Sequence, residues 1–156
     1  MNPTPTQLEG WADPHWRTAQ SLFKNGDQWA AVAAFYTSYQ LMRAALIADP
    51  IFRDEAALTL AHPSLRLEDR FETKHSFGGI NKPQLGLIEM CIVLYPHVSR
   101  YYTLGHQASV GVRYEGGLPR HVPLDKSIEY ANIFRTEYAA GNLVHVKSKA
   151  LKAAQP

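Results

Sequence analysis

The longest apolar stretch free of glycine and proline runs from Asp27 to Ala48. Its larger side chains, Val32, Phe35, Tyr39, Met42 and Leu46, alternate three and four residues apart, the spacing of one helical face. Ala30, Ala31, Ala33, Ala34, Ala44 and Ala45 fill the flanks, so neighbouring helices can approach on more than one side. Asp27 after Gly26 suits an N-cap. Asp49-Pro50 ends the run, because the residue before a proline is driven out of the helical region. The pattern predicts the central helix of a bundle.

Around it the same periodicity places further helices. Asp13-Pro14 reads as an N-cap followed by proline at the first helical position, with Trp16, Ala19, Leu22 and Phe23 on one face and Asn25-Gly26 as the stop. The connection to the central helix is so short that the two should form an antiparallel αα-hairpin. Residues 51–61 suit a short helix broken at His62-Pro63, and LRLEDRFETKH is amphipathic enough for another. Gly78 and Gly79 mark a loop. Leu87, Ile88, Cys91 and Leu94 line a helical face up to Pro96, which must kink that helix or begin a new one. The next segment, through Tyr114, is helical with Gly105 and Gly111 as weak points. A last helix capped by Asp125 carries Leu124, Ile128, Ala131, Phe134 and Tyr138 and stops at Gly141. No period-2 alternation is long enough for a strand. The expected class is all-α, an up-and-down four- or five-helix bundle. Residues 1–13 form a loosely ordered segment, 14–141 the single domain, and 142–156 a basic tail.

Composition narrows the picture without naming a function. The 156 residues suit one domain, and 46% apolar with 19% charged residues is ordinary for a globular chain. A net charge of +2 permits a nucleic-acid partner without requiring one. The single Cys91 sits within the apolar run IEMCIVLY, as a small buried hydrophobe does, and favours a reducing compartment. No basic start leads into an apolar core, and no apolar run approaches the ~20 residues that span a bilayer. A cytoplasmic protein without a membrane role is expected.

Phosphate loops, paired-cysteine motifs and HExxH are missing from the sequence. The seven histidines are scattered, so neither a metal nor another cofactor is expected. The spacing with chemical content is Arg100-Tyr-Tyr-Thr-Leu-Gly-His106. Histidine can shuttle the proton of a 2′-hydroxyl or a leaving 5′-oxygen, and arginine can stabilise the phosphate charge. At about 100° per residue the two side chains stand ~120° apart on a helix. Convergence needs a break at Gly105 or a dimer that brings two copies together. His97, three residues before Arg100, shares its face and can assist. Lys74-His75 offers another basic pair, and Tyr101 and Tyr102 can stack on bases or fill space between helices.

The order of parts then becomes informative: a short helix ending in Asn-Gly-Asp, the helix AAVAAFYTSYQLMRAAL, a helix ending Arg113-Tyr114-Glu115-Gly116, and PLDKSIEYANIF. Over roughly residues 14–140 this resembles the HEPN superfamily, small helical bundles of prokaryotic toxin–antitoxin, antiviral and CRISPR-associated systems. Catalytic members are metal-independent ribonucleases whose signature is Arg, four to six residues, then His; Arg100 and His106 match it. The resemblance implies a homodimer sharing an RNA-cleaving cleft, with Arg100 on the phosphate, His106 as acid/base and His97 auxiliary. Tyr101, Tyr102, Lys74 and His75 would bind the RNA. It also implies an antitoxin or nucleotidyltransferase as possible partner. Two positions differ: Tyr101 stands where catalytic members often carry Asn, and Ala108 where members modified by a nucleotidyltransferase often carry Tyr. The expected function is a metal-independent endoribonuclease, a toxin or antiviral effector. The alternative is a non-catalytic HEPN-like module binding a nucleotide, nucleic acid or partner protein.

Overall fold

The computed structural model describes residues 1–153, and among these all regular structure is helical. Helix α1 spans Pro5–Lys24 and α2 Trp29–Ala48. A 3₁₀ turn, Pro50–Arg53, leads into α3, Glu55–Ala61, and a second 3₁₀ turn covers Leu67–Phe71. Then come α4, Leu87–Leu94, α5, Pro96–Tyr114, α6, Leu124–Ala139, and α7, Val146–Ala153. Among these residues no helix is long and apolar enough to cross a membrane.

The central role predicted for the Ala-rich stretch holds. Helix α2 packs against α1, α4, α5, α6 and the second 3₁₀ turn. Its alanines at 30, 31, 34, 44 and 45 are buried along with Phe35, Met42 and Leu46. Asp27 accepts a hydrogen bond from the Trp29 amide at 2.9 Å, satisfying a free donor at the helix start. Phe35, Met42, Leu46, Phe52, Leu87, Cys91, Tyr95, Tyr102 and Phe134 share one continuous core. Burial pushes the Cys91 thiol far up, so it acts as core and not as a nucleophile.

Four local expectations are corrected. The first 13 residues are not loose, because α1 begins at Pro5. Thr4 and Gln7 form a capping box, Thr4 amide to Gln7 Oε1 at 2.9 Å and Gln7 amide to Thr4 Oγ1 at 3.2 Å. Leu8 and Ala12 anchor this added length in the interior. Pro14 therefore lies inside a helix, at an exposed position.

Residues 65–75 give only the turn Leu67–Phe71. Here Asp69 accepts from the Arg66 amide at 2.8 Å, and Glu72 accepts from the Thr73 and Lys74 amides. Side chains thus take the donors that a helix would have used. The break considered at Gly105 does not occur, and α5 runs straight through it. Finally, much of the basic tail is helix α7. Its start is tied down by buried Asp49, which accepts from the His145 amide at 2.9 Å, the Tyr95 hydroxyl at 2.8 Å and the Ser148 hydroxyl.

Candidate functional site: a histidine–arginine cluster on the aromatic side of helix α2

Three segments converge on one side of α2. From α2 itself come Phe35, which is buried, and Tyr36 and Tyr39, which are half-buried. From α5 come His106 and Arg113. Seven residues at about 100° each return to nearly the same direction, so these two occupy one face two turns apart.

The third segment is the chain before α4, which delivers His75. The Leu87 and Ile88 amides donate to the Lys74 and His75 carbonyls, both at 2.9 Å. Buried Glu89 accepts from the Phe77 amide at 2.9 Å and the Gly86 amide at 3.2 Å. The approach is so close that a Cβ on Gly86 would lie 2.6 Å from the Ser76 backbone. The Tyr39 hydroxyl adds a bond to the Thr73 carbonyl at 3.1 Å. His75 is thereby held by backbone pairing on one side and by α2 on the other.

The His75 and His106 ring centroids lie 4.8 Å apart. Phe35 underlies both, at 5.5 and 5.2 Å, and Tyr39 packs on His75 at 5.2 Å. Arg113 donates to the Tyr36 hydroxyl at 2.8 Å and to the Tyr114 hydroxyl. Its guanidinium also lies over both rings, 5.6 and 4.6 Å from their centroids, a cation–π sandwich. Arg43 over Tyr39 and Lys74 over Phe77 continue the pattern. The only ion pair among the described residues is Lys126–Glu129, elsewhere on the surface. Among the described residues no carboxylate pairs with Arg113, Arg43 or Lys74.

This arrangement sets the protonation states. Burial first, then the charges of His75 and Arg113, lower the His106 pKa to about 4, with Glu89 opposing. Burial and then Arg113 lower that of His75. At neutral pH His106 is an uncharged imidazole within the field of a permanent guanidinium two helical turns away. The His75 Nδ1 is buried with no hydrogen-bond partner. An anion entering here would meet Arg113 directly and would favour protonation of both rings, turning them into donors.

The other sequence candidates lie elsewhere. Arg100 is exposed in a groove of about 400 Å³ with Ile92, Thr103, Leu104, His121 and Tyr130. Within one chain it shares no surface with His106, as the unbroken helix requires. His97 is exposed, its Nε2 3.0 Å from the Asn142 carbonyl, so it ties down the segment after α6. Tyr101 packs on Tyr130 at 5.6 Å. Tyr102 is 0% exposed, between Phe35 and Phe134, and cannot reach a base. Lys74 remains exposed.

The structure thus brings together His75 and His106, and adds Arg113, Tyr36 and Tyr39, which the sequence reading did not place at a site. The seven-residue spacing of His106 and Arg113 was visible. Its value depended on His75, which only the fold supplies. No protein-family model matches the chain, and neither a curated protein nor a solved structure is significantly similar to it.

Proposed function

We propose that the protein is a HEPN-like RNA-binding module in which Arg113, His75 and His106 receive a backbone phosphate. Tyr36, Tyr39 and Tyr114 offer stacking surfaces beside it, and Arg43 and Lys74 extend the positive surface. The observation that carries this reading is Arg113: a guanidinium held between two tyrosines with no ion-pair partner among the described residues, two turns along α5 from His106, which pairs with His75. Single-stranded RNA recognition draws on this combination of cations and exposed aromatic faces.

A second reading is metal-independent cleavage at the same cluster, favoured by the pairing of two imidazoles with a guanidinium. One ring would take the 2′-hydroxyl proton as that oxygen attacks phosphorus. The other, protonated, would give its proton to the departing 5′-oxygen, leaving a 2′,3′-cyclic phosphate. The pairing of Arg100 with His106 requires a homodimer that brings the arginine of one copy to the histidine of the other.

Fluorescence anisotropy of labelled single-stranded RNA in excess chelator, followed by a denaturing gel of the same samples, tests these readings. Arg113→Ala should weaken binding about tenfold or more, with the fold checked by circular dichroism. Arg100→Ala should leave affinity unchanged. Equal affinity of Arg113→Ala and the wild type overturns the proposal. Cleavage lost in both His75→Ala and His106→Ala would establish the second reading; cleavage lost in Arg100→Ala would move the site to a dimer interface.

A further inference from the structure

A cavity lies on the opposite side of α2 from the histidine cluster. It encloses about 710 Å³ between the first half of α1, the second half of α2 and the end of α6, within the range of small-molecule sites. Its origin is steric. Trp16, Ala19, Ala34 and Ala131 close the space between α1, α2 and α6 at one end. Beyond Trp16 the facing side chains become small: Gly10 and Ala12 on α1, Thr37, Ala45 and Ala48 on α2, Ala139 on α6. The helices are left bridged by the Tyr138 hydroxyl, which donates to Glu9 Oε1 at 2.5 Å.

The polar groups around this space are unequal in sign. Glu9 and Asp13, one helical turn apart on α1, are its carboxylates besides Asp49, which already accepts several hydrogen bonds. Glu9 has one oxygen engaged by Tyr138 and a second with no donor among the described residues. Pro14 has no N–H, so the Gly10 carbonyl on the wall lacks the donor that a helix normally supplies from four residues on. Helices α2 and α6 both end at the cavity with no Lys or Arg in the last turn, leaving the negative ends of their dipoles unopposed. Among the described lining residues Arg135 is the single cation, and it feels the charge of Asp13. Its guanidinium is spread over the Trp16 ring, 4.3 Å from the centroid, and donates to Asn132 Oδ1 at 3.2 Å.

We propose that this cavity is a second binding site, for an amphipathic organic cation. Its apolar body would lie on Leu41, Ala45 and Leu143, and its ammonium would bond to Glu9, Asp13 and the Gly10 carbonyl. The site is independent of the RNA reading, being built from other residues on the other side of α2.

The test is a two-dimensional ¹H–¹⁵N NMR titration of the full chain with 4-phenylbutylammonium, and in parallel with 4-phenylbutanol and 4-phenylbutyrate. The ammonium should shift the amides of Gly10, Thr37, Ala45 and Gly141 saturably. It should bind at least about fivefold more tightly than the carboxylate, as expected for a partly exposed ion pair. Gly10→Phe should abolish these shifts. A Cβ at Gly10 meets no atom within 4 Å, so the substitution makes no backbone clash there, and circular dichroism checks that the fold is retained. Glu9→Gln should weaken the ammonium and leave the alcohol unchanged. Absence of saturable shifts at these amides, equal or tighter binding of the carboxylate, or shifts that persist in folded Gly10→Phe would each overturn the proposal.

Discussion

The two sides of helix α2 are built from one stretch of sequence and have opposite character. On one side Tyr36 and Tyr39 project with Arg43, and the space above them is taken by His75, His106 and Arg113. On the other side Thr37, Leu41, Ala45 and Ala48 leave a cavity between α1 and α6. Side-chain volume decides which side is filled by the chain itself and which is left open. Charge follows a separate rule. The filled side gathers guanidinium and ammonium groups that form no ion pair among the described residues, its Glu89 being tied to backbone amides; the open side gathers Glu9, Asp13, Asp49 and helix carbonyl ends around one guanidinium, Arg135. A single buried helix can thus separate two chemically opposed surfaces.

The most severe way to break the contrast is Phe35→Ala. Phe35 is 1% exposed and underlies His75, His106, Tyr39 and Tyr102. Its truncation should cost about 3–5 kcal/mol, read by urea denaturation. The histidine pair should loosen while the opposite cavity keeps its shape. Gly86→Ala comes next. Its methyl would meet Ser76 and His75 backbone atoms at 2.6–2.7 Å, and backbone cannot yield as a flexible side chain does. A loss of about 1–3 kcal/mol is expected, with His75 moved off His106 and the ring-current shifts between them removed in NMR spectra.

Acid should act on the filled side more gently. The folded-state pKa of His106 lies at about 4, below its ordinary value of 6.5, and that of His75 is also lowered. Between those limits the unfolded chain binds more protons than the native one. Stability therefore falls as pH drops from about 6.5 towards 4. His15 and His145 are lowered as well, so His106→Gln should reduce the slope of Tm against pH without removing it. A slope unchanged by that substitution would show that His106 does not carry the linkage.

The smallest effect belongs to the open side. Gly10→Ala places a methyl in empty space within α1 and should raise stability by about 0.5–1 kcal/mol through helix propensity alone. Thermal melts would register it as a modest rise in Tm, with the histidine cluster untouched.

Several features were legible in the residues themselves. The period of Phe35, Met42 and Leu46, the alanines around them and Asp49-Pro50 determined a central helix buried on more than one side, because helical geometry and proline sterics act over a few positions. Asn25-Gly26 and Pro96 marked helix limits for the same local reason. His106 and His75 were both singled out from their chemistry. Local readings failed where two local signals competed. Thr4-Pro5 and Asp13-Pro14 each resemble a helix start, and burial of Leu8 and Ala12 against the rest of the fold decided for the first. Asp69 and Glu72 turned an amphipathic stretch away from helix by taking its amides.

The site itself was decided by tertiary structure. His75 and His106 are separated by Gly86, Glu89 and the whole of α4, and their contact depends on a loop folded onto α2. Arg100 and His106, close in sequence, point apart because an unbroken helix fixes the angle between them. Asp49 joins Tyr95 and the start of α7 across 46 and 96 residues. Sequence spacing determines directions along one helix. Which directions meet is decided by how the helices close around α2.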